Sequence, residues 1–319
     1  MVLSLRSRTL GSIWGVCVTD ALGGPVQFSE PKSFEPITGL AFVAPFEQPA
    51  GSYSDDGAMT LALAKSFIDA QGKYDHELSI EYFVQWLGNG RFSTVNYSWD
   101  VGLSTRRALC LWRDHGTRDT EGTQRQVNHS LDKESSSGNG SLMRIASVGL
   151  VLWRDPLEAR AVAIRQSRVT HPALACTEAC EIYTYLMGKI MRGKSKEQLC
   201  SVIRSHKFKH DALALRMFKY KTLLDWAEAD YSSIKSSGWV VDTLEAALWG
   251  FFKFNSYVDG ALAVVNLGHD SDTVGAVYGG IAGAYYGYES IPADWIAQMQ
   301  NQSLIGEIAD GLVDFVVRE

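Results

Sequence analysis

Two acidic clusters, Ser54-Asp55-Asp56 near the start of the chain and Asp270-Ser271-Asp272-Thr273 near its end, set the strongest condition on any fold this sequence adopts. Both stand where helices should begin, and both pair aspartates with hydroxyls, the hard oxygen donors that Mg²⁺ and Mn²⁺ take as ligands. If Asp55, Asp56, Asp270 and Asp272 meet in one cleft, four like charges raise one another's pKa values unless cations neutralise them. Two divalent ions would balance that charge, and ions about 3.5–4 Å apart can hold substrate oxygens and a water in fixed relation. The alternative is that each cluster only caps its own helix, since Ser and Asp accept bonds from the free N–H groups of a first turn and favour its dipole.

Most of the remaining sequence is punctuated as helix. Asp155-Pro156-Leu157-Glu158 supplies a cap, a first-turn proline and an acid at the third position, and Ser195-Lys196-Glu197-Gln198 repeats the capping-box logic. Ser256 and Asp259 do so again, and a helical run over 173–192 is stopped by Gly193. Two-residue alternation is scarce, so the predicted fold class is all-α. Residues 30–50, broken by four prolines, and the polar stretch 113–137 are expected to be long loops. The helix beginning near Asp272 carries Gly275, Gly279, Gly280, Gly283 and Gly287. Glycine costs about 1 kcal/mol in a helix interior, which implies close backbone contact with a neighbouring helix, at least over 279–287.

The 319 residues are 46% hydrophobic, enough for a large core, and no linker composition divides them. A net charge of -6 argues against a nucleic-acid groove. Five cysteines without a C-x-x-C pair or zinc-like spacing are expected to be reduced; Cys176 and Cys180, one turn apart, are expected to be core thiols. No secretory leader and no run of about 18 apolar residues is visible, so the expectation is an intracellular protein, cytoplasmic or nuclear, without a membrane span.

Three further stretches bear on chemistry. Residues 135–144, rich in Ser and Gly ahead of a helix, form either an anion cradle for a diphosphate or a plain glycine turn. Asp100, before Gly102, is either a cap or an acid facing the site. His171, before Pro172, is either a phosphate donor or a surface histidine. No Gly-x-Ser-x-Gly element, Walker loop or strand-associated Rossmann fingerprint is present.

Taken in order, residues 19–28, 54–56, 100–106, 138–144 and 268–273 resemble the motifs of the ADP-ribosylglycohydrolase family, over most of the chain. The resemblance implies one all-α domain, an orthogonal multi-helix bundle spanning 1–319, that holds two Mg²⁺ or Mn²⁺ ions against the distal ribose of ADP-ribose. It implies Ser54, Asp55, Asp56, Asp270, Asp272 and Thr273 as metal ligands, with Asp55, Asp56, Asp100 and Asp270 in catalytic positions. Gln27, Gly102, Ser136, Ser137, Gly138, Asn139, Gly140 and His171 would contact substrate. Two departures stand out: Gln27 replaces a common Glu, and an amide cannot transfer a proton at neutral pH. Gly57 replaces a common Thr or Ser, which implies weaker support behind the carboxylates without loss of the metal.

The expected activity is hydrolysis at C1″ of the distal ribose of an ADP-ribosylated protein or of a small derivative such as O-acetyl-ADP-ribose or ADP-ribose 1″-phosphate. A catalytically weak ADP-ribose binder is the alternative, motivated by Gln27. An unrelated metal phosphohydrolase would share the acid clusters without accounting for the 138–140 loop. A monomer is expected.

Overall fold

The computed structural model describes residues 3–116 and 119–318. Among them no strand forms, and extended pairing is confined to two isolated bridges, Val43 with Gln48 and Gly138 with Trp239. In chain order the first eight helices are α1 (Leu5–Gly23), α2 (Asp55–Asp69), α3 (His76–Asn89), α4 (Leu103–His115), α5 (Thr120–Leu131), α6 (Ala146–Val151), α7 (Pro156–Arg168) and α8 (Leu174–Met191). The second half adds α9 (Lys196–Ser205), α10 (Asp211–Met217), α11 (Leu223–Glu228), α12 (Val240–Lys253), α13 (Tyr257–Val265), α14 (Ser271–Tyr286), α15 (Ala293–Gln298) and α16 (Gln302–Val317). The expected all-α class is what forms.

The caps read from the sequence form as such. Asp155 accepts from the N–H groups of Leu157 and Glu158, Ser195 and Gln198 close a capping box, and the Ser256 side chain accepts from Asp259 N–H. Each satisfies donors that a first turn leaves open.

At the centre lie α1 and α14, both buried along nearly their whole length. They run antiparallel with glycine against glycine: a Cβ on Gly11 would overlap Gly283, one on Gly15 would overlap Gly279, and one on Gly275 would overlap the carbonyl of Thr19. Each step of four residues along α1 is matched by four back along α14, the spacing of the ridges that helices interlock. Hydroxyls complete the seam, with Ser12 donating to Gly280 O at 2.8 Å and Thr19 to Gly275 O at 2.7 Å. The seam's last contact is functional in consequence: Ser271 Oγ donates to Gly23 O at 3.0 Å, which sets the end of α1 against the start of α14. Around this pair pack α2, α12, α13 and α16.

One expectation fails. The stretch 113–137 is not a long loop: α4 continues to His115 and α5 occupies Thr120–Leu131. Asp119 caps α5 by accepting from Gly122 N–H, and its buried positions are only Thr123, Val127 and Leu131, one narrow stripe at four-residue spacing. The other faces are polar, so the apolar signal is too thin to stand out in composition. Residues 117 and 118 of that stretch lie outside the described residues. The 30–50 segment is irregular apart from one 3₁₀ turn, Ala44–Phe46, as expected. Cys176 and Cys180 are buried and unpaired. Among the described residues no helix is long and apolar enough to cross a membrane.

Gly279 tests the seam. Gly279→Ala gains about 1 kcal/mol of helix propensity but forces a methyl onto Gly15 O and Thr19 Oγ1. Overpacking of that kind costs about 1–3 kcal/mol, so urea denaturation should show a net loss of about 1 kcal/mol. A variant as stable as wild type would mean the seam is loose.

Candidate active site

Asp20, near the C-terminal end of α1, joins the two acidic clusters. Its carboxylate accepts from Ser54 N–H at 3.0 and 2.9 Å and from Gly57 N–H at 2.8 Å, so it holds the first turn of α2 in place. Ser54 caps that turn, and its hydroxyl donates to Asp56 Oδ2 at 2.9 Å. Thr273, in the first turn of α14, donates to the same oxygen at 3.4 Å. One carboxylate oxygen each from Asp20, Asp56 and Asp272 lies within 4.8 Å of the others. The two ends of the chain therefore meet.

Capping does not account for the carboxylates. Asp270 sits at the N-cap of α14 without a side-chain bond to it; instead its carboxylate accepts from Asn139 Nδ2. Asp56 Oδ1 and Asp272 Oδ1 are buried without a hydrogen-bond partner. Orphaned buried acceptors on two adjacent carboxylates fit a hard cation, and the group can hold metal. Asp20 differs from them in that both its oxygens are already engaged by N–H groups.

Burial and mutual repulsion make the cluster hold its protons. Asp20 is raised to about 7 by desolvation, against the pull of its bonds to Ser54 and Gly57. Asp100 is raised to about 6 by desolvation, eased by its neighbours Asp272 and Gln27. Asp55, Asp56 and Asp272 are raised well above the carboxylate range, first by burial and then by the surrounding carboxylates. Asp270 is raised by burial and eased by Asn139 and Thr273.

The cluster opens into a cleft of about 720 Å³. Asp55, Asp100, Asp270, Asp272 and Thr273 line it, as do Gly102, Ser136, Gly138, Asn139, Gly140 and His171. Ser54, Asp56, Gln27 and Ser137 stand behind its surface; Ser137 turns its carbonyl to Val240 N–H at 3.0 Å. Asp100 has a left-handed backbone (φ 56°) and does not cap α4, whose N-cap is Gly102 with no capping side chain. The open first turn of α4 thus borders the cleft, and free N–H groups of that kind suit an anion. Gly140 is wedged between that turn and His171: an added Cβ would lie 2.7 Å from His171 Cε1 and 2.8 Å from Thr105 Oγ1. Burial and the nearby Arg144 lower His171 to about 3, so it is neutral at physiological pH and is no surface histidine.

Beneath the 138–140 loop lies Arg144, fully buried. It donates to Gly140 O at 3.2 Å and to Gln166 O at 3.4 Å and stacks on Phe83 at 4.5 Å. Burial lowers it only to about 10, so it stays charged. Gly57 also has a local reason: a Cβ there would strike the Tyr53 ring at 2.7 Å.

The sequence model of the ADP-ribosylglycohydrolase family matches residues 1–318. The chain belongs to the ADP-ribosylglycohydrolase family. Among curated relatives, this family member is 31% identical over 308 residues to the ADP-ribosylarginine hydrolase of Pseudomonas putida, across 96% of this chain and 78% of that one. It is 26% identical over 307 residues to the ADP-ribosyl-[dinitrogen reductase] glycohydrolase of Rhodospirillum rubrum, across 93% and 91%. A solved structure titled ADP-ribosylglycohydrolase-related protein complex superposes with a TM-score of 0.81 at 29% identity, covering 98% of this chain and 99% of that one. The relatives support a glycohydrolase enzyme acting on ADP-ribosyl conjugates.

Asp20 is the main residue the sequence reading passed over. Its signal was an acid inside the otherwise uncharged run 9–29. Phe28, Phe46, Thr105 and Met143 also line the cleft without having been singled out.

The raised carboxylates fix a sign. The folded cluster keeps protons to higher pH than the unfolded chain, whose aspartates titrate near 3.8. Stability of the metal-free protein is therefore fully present below that value and is lost as pH rises through about 6–7. Thermal melts in chelator should show this fall, and the rise in Tm on adding Mg²⁺ should be larger at pH 8 than at pH 5.5. Asp272→Asn removes one crowded charge; the metal-free variant at pH 8 should melt no lower than wild type while losing most of the Mg²⁺-induced increment. A variant that melts much lower and keeps the increment would refute the assignment.

Proposed function

We propose that this protein hydrolyses the bond between C1″ of the distal ribose and an arginine side chain in ADP-ribosylated protein. The observation that carries the reading is the buried junction of the two acidic clusters, with an orphaned oxygen on Asp272 at the wall of an ADP-ribose-sized cleft and one on Asp56 behind it. The name of the Pseudomonas putida relative supports arginine as the acceptor. Asp55, Asp56, Asp270 and Asp272, with Ser54 and Thr273, would hold two Mg²⁺ or Mn²⁺ ions. Bound there, the ions would supply Lewis acidity toward the ribose hydroxyls and a water of lowered pKa.

The chain's own residues do the rest. The open first turn of α4 and the 138–140 loop would offer N–H groups to the diphosphate, and Arg144 supports that loop from below with a buried positive charge. Neutral His171 exchanges hydrogen bonds without adding charge. Asp100, raised to about 6, is suited to moving a proton near neutral pH at the scissile bond. Gln27 places an amide beside it, where no proton can be exchanged, so Asp100 carries that duty alone. The reading includes a monomer inside the cell, in cytoplasm or nucleus, which the unpaired cysteines support.

A non-hydrolytic ADP-ribose binder is the second reading, and Gln27 is the observation in its favour. Incubation with Mg²⁺ and ADP-ribosyl-arginine, ADP-ribosyl-serine, O-acetyl-ADP-ribose or ADP-ribose 1″-phosphate, with free ADP-ribose as the product measured, separates the two. Release is expected from the arginine conjugate. Asp100→Asn should lower kcat by about 100-fold or more, the usual worth of a general acid or base. Heat of ADP-ribose binding with no release from any conjugate would establish the binder instead.

A further inference from the structure

Phe28 is held at the cleft in a way that folding alone does not explain. The residue is 64% exposed at the cleft lining, and its backbone is left-handed (φ 64°), a conformation that bulky L-residues adopt only under constraint. The constraint is a pair of backbone bonds: Phe28 N–H donates to His269 O at 2.6 Å, and His269 N–H donates to Ser29 O at 2.8 Å. These fasten the segment to the loop that leads into Asp270. The ring of Phe28 lies 6.2 Å from that of Phe46, which lies 5.3 Å from that of Trp99. A row of aromatic rings thus runs to the residue before Asp100. On the other side of Phe28 in sequence, Gln27 is buried behind the cleft surface beside Asp100.

An exposed aromatic residue kept at steric cost and the carboxylates of Asp55 and Asp100 in the same cleft together suit a flat cation that carries N–H donors. We propose that Phe28, seated against Phe46, is a specificity-determining residue that stacks on the guanidinium of the arginine leaving group. The proposal rests on the arginine-hydrolase reading above and adds the element that selects that acceptor over neutral ones. A ring quadrupole attracts a guanidinium and is indifferent to a serine hydroxyl.

The experiment compares wild type, Phe28→Leu and Phe28→Tyr with Mg²⁺ present. Initial rates are taken on ADP-ribosyl-arginine and ADP-ribosyl-serine peptides, and ADP-ribose affinity is read by calorimetry. Phe28→Leu keeps the apolar bulk without the π face, so KM for the arginine conjugate should rise about tenfold. Its kcat and its ADP-ribose affinity should stay within about twofold, and Phe28→Tyr should restore KM. An unchanged KM in Phe28→Leu, with wild type active, overturns this proposal alone. An equal loss of ADP-ribose affinity places the ring over the adenosine and also overturns it. No release from the arginine conjugate by wild type overturns the parent reading itself.

Discussion

Backbone contact between α1 and α14 is the constraint on which the rest of the structure depends. Side chains usually keep helix axes about 8–10 Å apart, and only glycine lets the backbones themselves touch. Gly11, Gly15, Gly279 and Gly283 each give up about 1 kcal/mol of helix propensity to permit it. In exchange the register is fixed, because a slip of one residue would drive Thr19 or Ser12 into the opposite backbone. The fixed register has a chemical result at one end. There Asp20 on α1 reaches the first turn of α2, and Gly23 meets the first turn of α14, so two acidic clusters more than two hundred residues apart in sequence share one wall. Packing of small residues and assembly of the site are one event.

The electrostatics of that wall follow from its construction. Asp20, Asp55, Asp56, Asp100, Asp270 and Asp272 all lie in or beside it, and Arg144 is the buried cation below the adjoining loop. The N-terminal ends of α2 and α14 both point their partial positive charge at the acids, which explains why the fold tolerates the crowding. They do not neutralise it. Protons take up the remaining charge at low pH and divalent ions can do so at neutral pH, so cation binding and folding are linked through the same carboxylates. Arg144 acts on the backbone instead. Its Nη1 and Nη2 donate to the Gly140 and Gln166 carbonyls, and in that way it stiffens the loop that lines the cleft.

Legibility in the sequence tracked how local each signal was. Helix class, the Asp155, Ser195 and Ser256 caps, the glycine seam and the two acidic clusters all rest on residues within a turn or two of one another, and each has the form read from the sequence. The helix α5 escaped because three buried side chains among nine polar or small ones leave little periodicity to see. Asp20 escaped for the opposite reason: it sits in a strongly apolar helix, and only the fold reveals that its partners are the N–H groups of Ser54 and Gly57. Ser137 resembled Ser136 in sequence, yet their neighbours differ, and the pairing of Ser137 O with Val240 turns it away from the cleft. Contacts between distant segments decide such cases, and a linear reading has no access to them.

The backbone at Asp100 shows how one local strain serves two purposes. A left-handed aspartate costs about 1–2 kcal/mol, and nothing in its own segment requires it. The N-cap of α4 is Gly102, two residues further on, so Asp100 takes no part in capping that helix. Turned left, it lies beside Asp272 and Gln27 instead and is raised to about 6, while the first turn of α4 stays free of any side chain. The turn at Asp100 therefore places an acid in the cleft beside an uncapped helix start. Phe28 and His269 are left-handed too and are tied together by backbone bonds, so the same logic extends to the other rim of the cleft. Strain of this kind persists only where the surrounding packing over-determines it, and the rigid α1–α14 pair provides that packing.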